Sequence, residues 1–210
     1  MAKIFEVDLK SPKIVAIAEA AATIRTGGLV LYPTETVYGL GADACSDEAV
    51  AKVFAAKARP LEDPIPVAVN SLELAQQIAE LTPTAELALN KFLPGPLTLV
   101  VKAKPKKISK LLTAGTENIG IRIPDHPVVL KLIEFVGGPI TATSANLSGK
   151  SAPITIREAL EQLGKSVDVA LDSGKCKLGT PSTVVDFSSG LPRVLREGPI
   201  SKKELSTILK

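Results

Sequence analysis

The chain has 210 residues, of which 45% are apolar but only 3% aromatic, and it lacks tryptophan. This length favours one sizeable, aliphatic core over two small domains. The scarcity of aromatic rings disfavours nucleic-acid binding by base stacking. Lysine and arginine total 25 against 22 acidic residues, a formal charge of +3 that permits binding to polyanions without indicating it. A small anion such as a nucleotide triphosphate suits this charge equally well.

The two cysteines and the N-terminus indicate a cytoplasmic protein. Cys45 and Cys176 are far apart and form no Cys-x-x-Cys or Cys/His cluster, so free thiols in a reducing compartment are expected rather than a disulfide or zinc site. Residues 1–10 alternate apolar with charged residues, unlike a signal peptide. No later segment approaches the ~20 apolar residues of a membrane span, and no membrane contact is expected.

The first third of the chain predicts helix, strand and helix. Ser11 and Pro12 resemble an N-cap followed by proline at the first helical position, and the apolar spacing continues until Gly27. A strand follows, and a second helix begins at Ser46 with Lys57 in its last turn.

The stretch from Gly28 to Gly41, GLVLYPTETVYGLG, combines an apolar strand pattern with an abrupt polar loop. Such a loop suits contact with a ligand. The alternative is a tight connection in which Thr34 and Thr36 bond only to nearby backbone.

The rest of the chain predicts further alternating elements. Helices are expected at 71–81, 82–93 and 127–136, and capping-box patterns at 155–158 and 201–204 indicate two more. Strands are expected at 65–69, 98–103, 118–123, 139–143, 167–171, 183–187 and 194–196. Helices alternate with strands in the first two thirds of the chain, and strands cluster in the last third. This order predicts an α/β or α+β fold with a mixed sheet. We expect one domain over residues 1–210.

Several familiar catalytic patterns are missing. Neither a P-loop nor Gly-x-Gly-x-x-Gly occurs. The single histidine, His126, precedes Pro127 at a predicted helix start, which is more typical of a terminus residue than of a base in a Ser-His-Asp triad. Lys57 and Arg59 are placed to contact an anion together, although basic side chains at a helix C-terminus explain the pair as simply.

Polar residues also follow the predicted strands. Arg122 alternates with apolar neighbours before Pro124, so it suits either a ligand carboxylate or a structural acid. The segment 141–149, TATSANLSG, has small side chains that let a ligand approach the backbone, or it forms an ordinary turn.

A lysine run lies in a predicted loop. We interpret it as a solvated surface, with an RNA contact as the alternative. Its members are Lys102, Lys104, Lys106, Lys107 and Lys110.

At these residues the chain resembles the YrdC-type threonylcarbamoyl-AMP synthases. Seven motifs occur in family order over nearly the whole chain. They are YPTETVYGL at 32–40, KARP at 57–60, PGPLT at 94–98, GIRIP at 120–124, TSANLSG at 143–149, STVVD at 182–186 and LREG at 195–198.

The resemblance implies a single twisted α/β domain with a concave, basic cavity. It implies a nucleotidyltransferase that joins L-threonine, bicarbonate and ATP into threonylcarbamoyl-AMP and pyrophosphate, for modification of the adenosine beside the tRNA anticodon. Mg²⁺ is expected on the triphosphate, with no metal ligands assigned to the protein and no protein nucleophile. A transferase that acts on tRNA is the expected partner.

The resemblance also implies site residues. Lys57 and Arg59 are the expected catalytic groups. ATP would be bound by Lys57, Arg59, Asn118, Ser144, Asn146 and Arg196. L-threonine would be bound by Thr36, Arg122 and Ser182, with Arg122 on its carboxylate.

The chain departs from the family pattern in two places. Some members carry Asn, Lys or His around positions 63 and 68, where this chain has Asp63 and Ala68. Longer members continue into a linker and second domain, so the resemblance is to the short form. Two other functions stay open: a non-catalytic RNA-binding module, and a carbamoyl-adenylate enzyme that uses carbamoyl phosphate and needs no threonine.

Overall fold

The computed structural model describes residues 2–8, 13–104, 106–189, 191–206 and 208. The strands in these ranges are β1 Lys3–Glu6, β2 Val30–Tyr32, β3 Gly39–Gly41, β4 Val67–Ala68, β5 Ala79–Glu80, β6 Leu97–Ala103, β7 Asn118–Arg122, β8 Ile140–Thr141, β9 Thr143–Ser144, β10 Val169–Asp172, β11 Thr183–Asp186 and β12 Arg193–Arg196. The helices are α1 Ile14–Arg25, α2 Asp47–Lys57, α3 Leu72–Ile78, α4 Pro83–Phe92, α5 Pro127–Val136, α6 Ile156–Leu163 and α7 Lys202–Leu205, and a 3₁₀ turn spans Lys110–Thr113.

Most predicted elements are confirmed, and their starts follow the expected caps. The hydroxyls of Ser46 and Thr155 accept bonds from the backbone of α2 and α6, and Ser201 forms a complete capping box with Glu204. The predicted cap at Ser11 and Pro12 lies outside the described residues.

Three sequence predictions need correction. The predicted helix 71–81 ends at Ile78, because residues 79–80 pair with β6 as β5. The strands β1 and β3 were not predicted; β3 contains two glycines, which are disfavoured in strands. Lys102 lies in β6 rather than in a loop.

The strands form two sheets. One has the order β1-β10-β2-β3-β9, and the other has the order β12-β11-β6-β7-β4-β8, with β5 added beside β6. Both contain parallel and antiparallel pairs, such as β11 parallel to β6 and β6 antiparallel to β7. The predicted α/β class with mixed pairing is confirmed, with the strands divided between two sheets.

The core is aliphatic, as the composition predicts. Helices α1 and α5 pack together on the five-stranded sheet. In the seven-stranded sheet, alternate residues of β6 and β7 enter the main core: Leu97, Leu99, Val101, Ile119 and Ile121. Because side chains alternate across a strand, the residues between them face the opposite side. That opposite face carries the candidate site.

Within the residues that the structure describes, no helix is both long and apolar enough to cross a bilayer. Cys45 is exposed and Cys176 buried, and both are free thiols, as predicted.

Candidate active site

A cavity of about 300 Å³ lies over the outward face of the seven-stranded sheet. Its floor comes from alternate residues of three neighbouring strands: Thr98 and Val100 of β6, Asn118, Gly120 and Arg122 of β7, and Val184 of β11. A Cβ atom at Gly120 would lie 2.8 Å from Cβ of Pro66, so a glycine here keeps the floor open.

Loops and strand ends form the cavity walls. These residues are Val37, Arg59, Pro64, Pro66, Thr116, Ala142, Thr143, Ser144, Pro181, Ser182, Leu195 and Arg196. Six of the nine predicted site residues therefore line the cavity: Arg59, Asn118, Arg122, Ser144, Ser182 and Arg196. Lys57, Thr36 and Asn146 do not line it.

Arg122 is a buried arginine with an acidic partner. Its Nη2 donates to Oε1 of Glu35 at 2.6 Å, and its Nε donates to the carbonyl oxygen of Gly95 at 3.2 Å. Of the two partners that the sequence allowed for Arg122, a structural acid is therefore present. Arg122 also lines the cavity, so a ligand can still reach it. Glu35 is absent from the predicted site residues because it lies 87 residues before Arg122 in sequence. The sequence feature that could have identified Glu35 is that it is the only acidic residue in the stretch 28–41.

Arg59 and Arg196 are held by backbone carbonyls instead. Arg59 donates to the carbonyl oxygens of Asp63 and Pro64, at 3.2 and 3.1 Å, and Arg196 donates to that of Ser182, at 2.8 Å from Nη2. Among the described residues, neither guanidinium has an ion-pair partner. Partial burial and then the nearby charge of Arg122 lower the pKa of Arg196. This concentration of positive charge suits an anionic ligand.

Position 63 affects Arg59 through its backbone. Because the contact comes from the carbonyl oxygen, the side chain of Asp63 is not what orients Arg59. Ala68 is buried in β4 and is not among the cavity-lining residues.

Lys57 joins α2 to the segment that follows β9. It is only 1% exposed, and its Nζ donates to the carbonyl oxygen of Ser144 and, at 2.6 Å, to that of Asn146. Burial, followed by the charge of Arg59, lowers the pKa of Lys57 to about 8. The spacing from Val50 and Phe54 places Lys57 on the apolar face of α2, a signal of burial that the sequence contains.

Asn146 and Thr36 also bond internally. Nδ2 of Asn146 donates to the carbonyl oxygens of Leu147 and Lys150, whereas its buried Oδ1 has no partner in the described chain. Thr36 is fully buried, with its hydroxyl 2.8 Å from that of Thr34. The Thr34 hydroxyl bonds nearby backbone, as the tight-turn interpretation expects. Ligand contacts by Lys57, Asn146 and Thr36 stay predictions.

Hydroxyl and amide groups complete the polar lining. The hydroxyls of Ser182 and Thr98 are 2.7 Å apart, and Nδ2 of Asn118 donates to the Ser188 hydroxyl at 3.1 Å. Thr98 is a further lining residue that the predicted site omits. Its signal is its place at the end of the PGPLT motif.

His126 does not line the cavity. It is the N-cap residue of α5, as its predicted role at a helix terminus expects, and its Nε2 lies 3.3 Å from the Ser173 hydroxyl. Burial lowers its pKa to about 4, so the imidazole is neutral at pH 7. Nothing in this geometry makes it a base for the cavity.

Comparisons with known proteins agree with the resemblance. The Sua5/YciO/YrdC family model, described as "Telomere recombination", matches residues 22–198. The threonylcarbamoyl-AMP synthases of Pyrococcus abyssi and Bacillus subtilis are each 39% identical to the chain, over 90% and 92% of it and 56% of each relative. The chain thus spans about half the length of these curated relatives.

A solved structure has the same fold. The crystal structure of P. abyssi Sua5 complexed with L-threonine aligns with a TM-score of 0.94 and 37% identity, covering 98% of this chain and 60% of that one. The motifs, the two sheets, the family model and this alignment agree, and the chain belongs to the Sua5/YciO/YrdC family.

Proposed function

We propose that this protein makes threonylcarbamoyl-AMP and pyrophosphate from L-threonine, bicarbonate and ATP. The observation that carries the proposal is the set of three guanidinium groups on one cavity. Arg122 is fixed in the sheet by Glu35, whereas Arg59 and Arg196 lack acidic partners in the described chain. One directed and two unpaired cations suit one carboxylate and one triphosphate. The names of the curated relatives support this assignment.

The reaction needs positioning more than a protein nucleophile. The amino group of L-threonine attacks the carbon of bicarbonate, and loss of water gives a carbamate. A carbamate oxygen then bonds to the α-phosphorus of ATP, and pyrophosphate leaves with the electrons of the broken P–O bond. Arg122 would hold the threonine carboxylate, and Arg59 and Arg196 would stabilise the charge that develops on the phosphates.

Mg²⁺ would enter with the triphosphate. It would neutralise part of the phosphate charge. Among the described residues, no carboxylate lines the cavity, and no group of three His, Cys, Asp or Glu side chains suits a metal ion. We therefore assign no resident metal ligands to the protein.

Further assignments are part of this proposal. We propose that the enzyme is cytoplasmic and that residues 1–210 form one domain. A partner transferase would use the labile product to modify tRNA. A direct RNA contact would involve the lysine run.

The test is pyrophosphate release from ATP and bicarbonate, with and without L-threonine. We expect release that depends on threonine in the natural protein and is lost in Arg122→Ala and Lys57→Ala. Arg157→Ala is the matched control, because Arg157 is exposed on α6 and pairs with Glu161.

Two other results would contradict the proposal. Release that is indifferent to threonine but depends on added carbamoyl phosphate would favour the enzyme that uses carbamoyl phosphate. No release, with salt-sensitive tRNA binding that weakens when the lysines at 102–110 are replaced, would favour the RNA-binding module.

A further inference from the structure

Glu35 is a buried charge that the proposed reaction leaves without a role. Its side chain is 7% exposed, and only its Oε1 bonds to Arg122. The second oxygen, Oε2, is closed off from solvent and has no hydrogen-bond partner within the described residues. A buried carboxylate with an unpaired oxygen costs free energy of folding. Glu35 compensates the buried charge of Arg122, but this pairing gives no reason for the unpaired Oε2.

The pair fixes the orientation of one guanidinium. Arg122 donates from Nη2 to Glu35 and from Nε to the carbonyl oxygen of Gly95, whose own N–H donates to the carbonyl oxygen of Ile123 at 2.9 Å. The described part of the chain offers Nη1 no acceptor, and Arg122 lines the cavity. The Nη1 edge is therefore the part of the guanidinium that a ligand can bind.

Glu35 also makes Arg122 electrostatically different from the other two cavity arginines. Arg122 and Glu35 together carry no net charge, whereas Arg59 and Arg196 keep theirs. A triphosphate, with several negative charges, is attracted most strongly to unpaired cations. A single carboxylate gains more from a guanidinium held at a fixed angle.

We infer that Glu35 is a positioning and specificity residue, which holds Arg122 for the amino-acid carboxylate and keeps polyphosphate away from it. This inference rests on the proposed function and adds to it a residue that lines no part of the cavity. Its contact with the site is the bond to Arg122.

The test uses Glu35→Gln, which keeps the size of the side chain and an oxygen for Arg122 but removes the charge. We expect the KM for L-threonine to rise about ten-fold and the KM for ATP and kcat to stay within about two-fold. Inorganic tripolyphosphate should become a competitive inhibitor against L-threonine. Glu35→Asp, which keeps the charge but is shorter, should give a smaller rise in the KM for L-threonine.

Glu158→Gln is the matched control. The Glu158 carboxylate accepts a bond from the backbone N–H of Ile154 and does not contact Arg122, so its loss should leave both KM values unchanged. Thermal unfolding of each variant checks the fold, and Glu35→Asp carries the test if Glu35→Gln does not fold. An unchanged KM for L-threonine, or equal losses in all kinetic parameters, would overturn the inference.

Calorimetric binding of L-threonine separates this inference from the proposed function. A natural protein that binds L-threonine but releases no pyrophosphate would contradict the proposed function, while weaker binding by Glu35→Gln would still support the role of Glu35. A natural protein that neither binds L-threonine nor releases pyrophosphate would overturn both.

Discussion

The sheet that forms the cavity floor and the loops packed behind the cavity wall use their polar groups in different ways. On the sheet side, Arg122 and Arg196 line the cavity, and each guanidinium also donates to a backbone carbonyl oxygen. On the loop side, Lys57 and Asn146 do not line the cavity. Their side chains donate to backbone carbonyl oxygens, and these bonds hold the loops in place. The sheet side is therefore expected to control binding, and the loop side both folding and the shape of the cavity wall. Substitutions on the two sides should differ in how far they lower the free energy of unfolding.

The largest effect on stability is expected for Lys57→Met. Loss of the ammonium leaves the buried carbonyl oxygen of Asn146 without its donor and removes one of two donors from that of Ser144, which keeps the backbone N–H of Asn146, so the free energy of unfolding should fall by about 3 kcal/mol. Urea unfolding measures this change. Lys52→Met on the same helix removes an exposed lysine and should cost less than about 0.5 kcal/mol. Equal losses in the two variants would remove the distinction between the two sides.

A second, pH-dependent effect is expected at His126, whose pKa of about 4 in the folded protein lies below the ordinary value of 6.5. Because the unfolded chain then binds more protons between these values, stability is present above pH 6.5 and lost as the pH falls towards 4. The contribution is about 2 kcal/mol between pH 7 and pH 4.5. Urea unfolding at both pH values should show this difference shrinking in His126→Asn. The same pH difference in His126→Asn as in the natural protein would contradict the assignment of this effect to His126.

The smallest effect on stability is expected for Arg196→Ala. This side chain bonds only to Ser182, and its charge has no partner within the described chain, so the free energy of unfolding should fall by less than about 1 kcal/mol. The KM for ATP should nevertheless rise about ten-fold. Arg193→Ala removes an exposed arginine from the same strand and should change neither quantity. A large loss of stability in Arg196→Ala would place this residue with the loop side.

The sheet side could be predicted from the sequence because it follows strand periodicity. Asn118 and Arg122 lie four residues apart and alternate with the apolar residues of one predicted strand, and Ser182 and Arg196 adjoin predicted strands. The α/β class follows from the same patterns. The family resemblance supplied the assignment of these residues to ligands, which periodicity alone does not give.

The contacts that hold Lys57, Asn146 and Arg122 in place could not be predicted because they join distant segments. The bond between Glu35 and Arg122 spans 87 residues, and that between Lys57 and Asn146 spans 89. No local pattern encodes such a pair. The strand β3 was missed for a related reason, since its glycines pair with β2 and β9 only once the fold is formed.

The short link between β8 and β9 has a consequence for how ligand entry can be detected. Only Ala142 separates Thr141 in one sheet from Thr143 in the other, and the hydroxyl of Thr141 bonds the backbone of Leu40 and Ala42. A ligand that tightens the cavity wall at Ala142 and Thr143 therefore also tightens the neighbouring sheet. The amide of Ala42, which does not line the cavity, should exchange with deuterium more slowly when the cavity is filled.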